Sequence, residues 1–217
     1  QPRSRGLGDV YKRQTFDRLY EMLESRPADR LWHTGFLTLS SHEPFEVPYN
    51  RLKDKRQNSF AYTDHCLGEF IDRLKQLPVW NNLLVICLPD HGSSPTFNVT
   101  SPTFYHIPML WLGGAIKAPA VIHTLMNQSD MPATLLGQLG LPHQDFKYSR
   151  NIFSTSYTYP FAYSTFSDGF MFKDSTGVTI FDNAARKPVY NEPAPDGARE
   201  EKGMAILQTS YDQLGEN

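Results

Sequence analysis

The feature that most limits the possible folds of this chain is the apolar run LLVICL at residues 83–88, which gives way to Pro89-Asp90-His91-Gly92. Six consecutive apolar residues without polar alternation are typical of a strand covered on both faces, as in a parallel sheet between helices. The run is far shorter than the roughly 20 residues that a membrane-spanning helix needs. We therefore expect a buried strand that delivers a carboxylate and an imidazole to the point where it leaves the core.

Helical and β-rich segments surround this strand. Apolar residues recur at steps of three and four over residues 58–77, and shorter helical patterns cover residues 15–26 and 129–139. The segments 31–40 and 107–114 are rich in residues that favour strands. Together these patterns predict an α/β fold whose core is a largely parallel sheet between helices.

The pattern changes after residue 155. Short aromatic or β-branched runs replace the long apolar ones, and the sequence DSTG between two of them is typical of a hairpin turn. These runs are residues 161–166, 170–173 and 178–181. We therefore predict an α/β domain over residues 15–155, followed by a small antiparallel appendage with a terminal helix over residues 156–217.

The first residues of the chain, QPRSRGLGDVYKRQ, show no apolar periodicity and resemble a translated sequencing adaptor. We therefore assign residues 1–14 to a non-native tail and leave them out of the fold prediction. Without the four basic residues and one acid of this tail, the net charge of the chain changes from −2 to −5. A mildly acidic body without a Lys/Arg cluster argues against nucleic acid as a partner.

The dipeptide Asp90-His91 is the strongest candidate for chemistry. Ligands of open α/β sheets bind beyond the carboxyl ends of the strands, and a glycine such as Gly92 permits the turn that brings consecutive side chains to one site. A carboxylate and an imidazole suit Zn²⁺ or Mn²⁺, although a capping Asp beside a surface His would give the same pattern. The two cysteines, Cys66 and Cys87, lack the paired spacing of a zinc site, and we expect both to be buried.

Two further histidines are judged by their positions relative to the predicted strands. His42 follows the β-rich segment at residues 31–40, so it could lie near the Asp90-His91 dipeptide and there bind a phosphate oxygen or move a proton. His106 precedes the segment at residues 107–114, whose start in a parallel sheet lies at the opposite edge. We therefore expect His106 to lie away from the site.

Several segments resemble one known family. Residues 61–92, AYTDHCLGEFIDRLKQLPVWNNLLVICLPDHG, resemble the helix, strand and loop of the sulfatase-like branch of the alkaline phosphatase superfamily. The segment FLTLSSHEPF at residues 36–45 is similar to the part of lipoteichoic-acid-synthase-type enzymes that ends in a His before an aromatic residue. HIPMLWLGG, followed by QSDMPATLLGQLG, is similar to the downstream strand and helix of that group. The resemblance covers roughly residues 15–185 and preserves the order of the motifs.

This resemblance implies a fold and a mechanism. The chain would be the C-terminal part of an alkaline-phosphatase-like sandwich, in which Asp90 and His91 bind one Mn²⁺ or Zn²⁺ ion. His42 would hold the phosphoryl group or assist the leaving group. An upstream Thr would attack the phosphodiester of a phospholipid head group, and a glycan or glycolipid would accept the phosphoglycerol unit. In such enzymes that Thr, another acidic ligand and a substrate Arg precede the segments seen here, so we expect an inactive fragment of an active parent.

The resemblance also implies a location. The parent proteins carry amino-terminal membrane helices and act on the periplasmic or extracellular face of the bacterial inner membrane. We therefore expect the parent to be anchored there and the fragment itself to be soluble.

Other functions stay open from the sequence. A sulfatase would hydrolyse sulfate esters with a formylglycine made from Cys in a C-x-P-x-R context, which neither Cys66 nor Cys87 has. A phosphoethanolamine transferase would use the same metal with a different head group, and a non-catalytic binding domain would keep the fold without the chemistry. The SSHEPF loop favours the phosphoglycerol transferase.

Overall fold

The structure is a computed structural model that describes residues 8–27, 30–39, 41–92 and 98–215, with side chains described from Thr15 onward. The helices and strands follow the order α1 Gly8–Glu24, α2 Lys55–Leu74, β1 Val85–Cys87, β2 Leu110–Leu112, α3 Met131–Gln138, β3 Ala162–Phe166, β4 Gly169–Asp174, β5 Gly177–Asp182, β6 Lys187–Glu192 and α4 Gly197–Gly215. They fall into two compact units. Unit 1 runs up to Cys87 and includes Leu110–Pro119, whereas unit 2 comprises Leu88–Met109 and the chain from Ala120 onward.

The core of unit 1 lies between α1 and α2. The carboxylate of Asp54 caps α2 by accepting a hydrogen bond from the backbone N–H of Gln57 at 2.8 Å. The apolar stripe of α2 packs against α1 in a cluster whose buried members are Phe16, Leu23, Tyr62, Cys66, Phe70, Ile71, Leu74 and Leu83. The helix predicted at residues 58–77 is therefore present, and burial of its apolar face explains its position.

The strands β1 and β2 pair with each other in the antiparallel direction, with Val85 opposite Leu112 and Cys87 opposite Leu110. This corrects the expectation of a parallel partner for the LLVICL run. Parallel neighbours need a crossover connection, usually a helix, whereas the described part of the connection between β1 and β2 contains only a short 3₁₀ turn, Pro102–Tyr105. The end of β1 and the start of β2 therefore lie at the same edge, and the expectation that His106 lies at the opposite edge is wrong.

The β-rich segment at residues 31–40 is not a strand over its described residues, 31–39. Leu31, Leu37 and Leu39 are exposed there, and among the described strands β1 and β2 pair only with each other. A strand requires a hydrogen-bonded neighbour as well as suitable residues, so strand propensity alone misled the prediction.

Unit 2 is built on a four-stranded antiparallel sheet in the order β3-β4-β5-β6. One face carries Phe170, Phe172 and Phe181, which pack with Ile206 and Leu207 of α4. The other face carries Met171, Val178 and Ile180, which pack with Tyr105, Phe166 and Tyr190. The predicted antiparallel appendage is confirmed. The sequence missed β6, and α4 begins at Gly197, inside a polar stretch at residues 191–203 whose composition is typical of a loop.

The predicted division at residue 155 does not coincide with the division into compact units, which falls between Cys87 and Leu88 and again near Pro119. The helix α1 includes part of the segment assigned to a non-native tail, since its backbone is helical from Gly8. Both the domain boundaries and the origin of residues 1–14 stay predictions. None of the described helices is long and apolar enough to cross a membrane.

Candidate metal centre and its surroundings

The Asp90-His91 dipeptide lies between two fixed points in unit 2. On one side, the side-chain amide of Gln128 donates a hydrogen bond to the carbonyl oxygen of Pro89 at 2.8 Å. On the other side, a Cβ added at Gly92 would overlap the backbone carbonyl of Phe104. Only glycine allows such a close approach of two backbones, so the residue that permits the turn also packs the dipeptide against a neighbouring segment.

The two candidate side chains face each other and are open to solvent. The Oδ1 atom of Asp90 accepts a hydrogen bond from the backbone N–H of His91 at 3.0 Å, and Oδ2 lies 3.8 Å from His91 Nε2. His91 Nδ1 lies 2.7 Å from the carbonyl oxygen of Gly92. Because a carbonyl oxygen can only accept, Nδ1 carries the hydrogen and the Nε2 lone pair of the neutral ring is free.

This arrangement fits a divalent metal ion. Histidines that bind metals usually donate their other ring N–H to a carbonyl or carboxylate, as His91 does to Gly92. The 3.8 Å between Asp90 Oδ2 and His91 Nε2 is shorter than two metal–ligand bonds of about 2.0–2.2 Å placed end to end. Across the described ranges, however, no three His, Cys, Asp or Glu side chains are close enough together to hold an ion. Asp90 and His91 could therefore supply two ligands of a set that would need at least one more.

The segment that packs against Gly92 is anchored in the core of unit 2. Phe104 is buried and makes an edge-to-face contact with Tyr105, with ring centroids 5.2 Å apart. The Tyr105 hydroxyl donates a hydrogen bond to the carbonyl oxygen of Val99 at 2.7 Å, and its ring packs on the sheet. Burial raises the pKa of Tyr105 to about 12. The antiparallel sheet thus supports the segment beside the candidate site.

A buried polar network holds the other support, Gln128. The preceding Asn127 and the nearby Asp130 form a reciprocal capping box around the 3₁₀ turn Gln128–Asp130. Asp130 is fully buried and binds the Arg150 guanidinium through both oxygens, at 2.9 and 2.7 Å. The Oδ1 atom of Asn127 accepts a hydrogen bond from the backbone N–H of Tyr163 in β3 at 2.6 Å. Sequence reasoning missed Gln128, because a surface Gln gives no signal of the carbonyl it will bind.

His42 lies in a turn of unit 1 that is closed by a hydrogen bond from the Phe45 N–H to the His42 carbonyl oxygen at 3.0 Å. Its ring is exposed, and Nδ1 lies 3.0 Å from the Glu43 carbonyl oxygen. By the same reasoning as for His91, the Nε2 atom of a neutral His42 is free to accept a proton or a ligand. The role of His42 beside Asp90 and His91 stays a prediction.

Other features of the described residues do not offer competing sites. Cys66 is buried as expected, whereas Cys87, which was also expected to be buried, is only partly so. Its partial burial raises the pKa of the Cys87 thiol, which disfavours the nucleophilic thiolate. An open groove of about 800 Å³ runs along α4, where Glu200 and Glu201 line it together with Met204 and Tyr211. Two carboxylates at its edge disfavour an anionic ester as its ligand.

Comparison with known proteins gives first the fold and then the family. A crystal structure of a protein in the alkaline phosphatase superfamily from Vibrio parahaemolyticus matches with a TM-score of 0.72 at 20% identity, over 94% of this chain and 55% of that chain. This match confirms the predicted α/β fold with an antiparallel C-terminal sheet. The sequence matches the family described as Sulfatase over residues 1–141. The chain belongs to the sulfatase family.

A curated relative agrees with this family. Arylsulfatase K from the dog, Canis lupus familiaris, is 34% identical over 91 residues, which cover 38% of this chain and 16% of the relative. The chain thus spans only part of the length of the relative and about half of the Vibrio protein. Members of the family are typically metal-dependent, which agrees with the chemistry of the Asp90-His91 pair.

Proposed function

We propose that this chain is part of a divalent-metal-dependent enzyme that transfers or hydrolyses a phosphate or sulfate ester, with Asp90 and His91 among the metal ligands. The observation that carries the proposal is the hydrogen bond from His91 Nδ1 to the Gly92 carbonyl, which leaves Nε2 free beside the Asp90 carboxylate. In a buried Asp-His pair with a structural role, both side chains would instead have all their hydrogen-bonding partners within the protein. Here both side chains are largely exposed.

The described residues would have different roles at such a site. Asp90 would supply negative charge for a cation, and His91 would supply a nitrogen ligand whose ring is oriented by its hydrogen bond to Gly92. Gln128 fixes the backbone at Pro89, directly before the carboxylate. A divalent ion bound there would lower the pKa of a nucleophilic hydroxyl and neutralise charge that builds up on the ester oxygens.

The more specific activity that we propose is transfer of a phosphoglycerol-type head group from a phospholipid to a glycan or glycolipid acceptor. The resemblance of the SSHEPF loop to lipoteichoic-acid-synthase-type enzymes supports it, with His42 holding the phosphoryl group or protonating the leaving group. In this proposal the whole protein acts at the outer face of a bacterial membrane with Mn²⁺ or Zn²⁺. Its nucleophile, a Thr, belongs to a segment that precedes the residues seen here.

Hydrolysis of sulfate esters is the second candidate. The Sulfatase match and the identity with arylsulfatase K favour it. Both candidates use a strand-end Asp-His pair as metal ligands, so the difference lies in the nucleophile and the substrate. Assay of the whole protein with a fluorescent phosphatidylglycerol and with an aryl sulfate separates them. Release of diacylglycerol supports the transferase, release of the phenol supports the sulfatase, and the absence of both activities supports a non-catalytic binding protein.

The shared metal proposal can be tested on this chain directly. We expect Mn²⁺ to broaden the amide NMR signals around Asp90 and His91 first, because paramagnetic broadening falls steeply with distance. Asp90→Ala or His91→Ala should weaken Mn²⁺ binding about tenfold or more, since each removes one of the two ligands proposed among the described residues. Both side chains are exposed, so the signals of the antiparallel sheet should not move. His123→Ala, at another exposed histidine of unit 2, is the control. Unfolding of both site variants would instead assign the pair a structural role.

A further inference from the structure

The connection between β1 and β2 begins and ends at neighbouring positions. Cys87, the last residue of β1, and Leu110, the first residue of β2, are partners in the antiparallel register. Partners of this kind have Cα atoms about 4.5–5.5 Å apart. The residues that directly follow Cys87 and those that directly precede Leu110 therefore start out side by side.

The stretch that follows Cys87 and the stretch that precedes Leu110 are also in contact several residues away from this pair. In unit 2, Gly92 approaches the backbone carbonyl of Phe104 so closely that no Cβ would fit. The dipeptides Asp90-His91 and Tyr105-His106 both lie between this contact and the Cys87–Leu110 pair. The pairing itself ends at Cys87 and Leu110, and the β1–β2 register continued outward by equal steps would place His106 opposite His91. His106, which the predicted direction of β2 assigned to the opposite edge of the sheet, would then be a neighbour of the candidate metal ligands.

The position of His106 is fixed while its ring is accessible. The two residues before it are anchored, Phe104 by burial and Tyr105 by its hydrogen bond to Val99 and its packing on the sheet. His106 itself is exposed. An imidazole on an anchored backbone next to a metal site is suited to bind an anion, since an N–H donor to a charged oxygen makes one of the stronger hydrogen bonds.

We propose that His106 is a substrate-binding residue of the Asp90-His91 site and donates an imidazole N–H to an oxygen of the phosphate or sulfate group. This role rests on the metal-dependent function proposed above. Direct metal coordination by His106 is disfavoured, because within the part of the chain that the structure describes no third His, Cys, Asp or Glu lies close enough to join a ligand set. A position beside the ion, rather than on it, is where the oxygens of a bound ester lie.

The first test is the proximity of the two rings, which needs neither metal nor ligand. A nuclear Overhauser effect between the ring protons of His91 and His106 is expected in the full chain. Absence of this effect, with both rings assigned and the sheet folded, would overturn the proposal.

The second test measures affinity with two probes, Mn²⁺ and inorganic phosphate. Paramagnetic relaxation of the ³¹P signal reports phosphate bound next to Mn²⁺, and Asp90→Ala gives the background from Mn²⁺ bound elsewhere. We expect His106→Ala to weaken phosphate binding about fivefold to tenfold, the effect of one charge-assisted hydrogen bond. The Mn²⁺ dissociation constant should stay within about twofold, as it should in the control His123→Ala.

The possible failures are distinguishable. Phosphate affinity that His106→Ala leaves unchanged, while Asp90→Ala still abolishes Mn²⁺ binding, would overturn the role of His106 alone. A tenfold loss of Mn²⁺ affinity in His106→Ala would make it a metal ligand and contradict the proposal. Mn²⁺ binding that Asp90→Ala leaves unchanged would overturn the metal site, and the role of His106 with it.

Discussion

The two antiparallel sheets of this chain differ in how completely their side chains are buried. The four-stranded sheet of unit 2 buries apolar residues on both faces, and Phe170 and Ile180 are fully buried. The two-stranded sheet of unit 1 has three residues in each strand, and Leu110 at its start is more than half exposed. The candidate site is supported from the first of these environments, through Tyr105 and through Asn127.

Charged groups show the same contrast. Unit 2 buries Asp130, Asp174 and Arg199, each with hydrogen-bonding partners. The ion pairs described in unit 1, such as Asp72–Lys75 and Arg18–Glu21, lie on the surface. Removing one partner of a buried pair leaves an uncompensated charge, whereas a surface pair is replaced by water. Equivalent substitutions in the two units should therefore have very different costs.

The largest difference is expected between Asp130→Ala and Asp72→Ala. Asp130 holds the Arg150 guanidinium and the backbone N–H of Asn127, so its loss should destabilise unit 2 by about 3–5 kcal/mol. Asp72 pairs with Lys75 on the surface of α2, and its loss should cost no more than about 0.5 kcal/mol. Urea denaturation followed by circular dichroism measures both. Equal losses of unfolding free energy in the two variants would show that the Asp130–Arg150 pair is not the main stabilising contact of this part of unit 2.

Two glycines in the middle of helices give the next comparison. A Cβ at Gly203 of α4 would overlap the ring of Phe170, which is fully buried and cannot move aside. Gly203→Ala should therefore destabilise unit 2 by about 1–3 kcal/mol. A Cβ at Gly68 of α2 meets nothing within 4 Å, so Gly68→Ala should stabilise unit 1 by about 0.5–1 kcal/mol through helix propensity. Thermal unfolding of both variants checks the opposite signs, and a stabilised Gly203→Ala would contradict the close packing of α4 on the sheet.

The fold was predictable from the sequence where each segment could bury its residues against its own neighbours. The meander and its DSTG turn were recognised because strand runs and turn residues alternate over short distances. The antiparallel pairing of β1 could not be predicted, because an apolar strand has the same composition whichever direction its neighbour runs. The segment at residues 31–40 has strand residues but no pairing partner among the described strands, and composition cannot reveal that.

The candidate site was predictable in its chemistry and not in its surroundings. Asp90 and His91 stood out because a carboxylate and an imidazole end an apolar run. The supports from Gln128 and Phe104 depend on contacts between residues far apart in the chain, which no local pattern encodes. The error over His106 had one cause, the assumed direction of β2. Parallel strands are usually joined through a helix, and the described part of the connection between β1 and β2 contains no α-helix.

The smallest of the three expected contrasts is a pH dependence that arises from Asp174 in unit 2. Burial alone would raise the pKa of this carboxyl, but hydrogen bonds from the hydroxyl groups of Thr176 and Tyr159 and from Lys202 hold its pKa at about 2, below its usual value of 3.8. A pKa that is lowered in the folded state contributes stability above the unfolded value, and this stability is lost as the pH falls from about 4 to about 2.

We expect the free energy of unfolding to fall by about 1–2 kcal/mol over that window on account of Asp174, and Asp174→Asn to remove this part of the slope. Urea denaturation at pH 5, 4, 3 and 2 measures it, with Asp72→Asn as the control for loss of one surface carboxylate. The variant will be less stable at neutral pH, so the comparison concerns the slope and not the absolute value. A slope that Asp174→Asn leaves unchanged would place the acid sensitivity in other carboxylates, and the contrast between buried and surface charges would then rest on Asp130 alone.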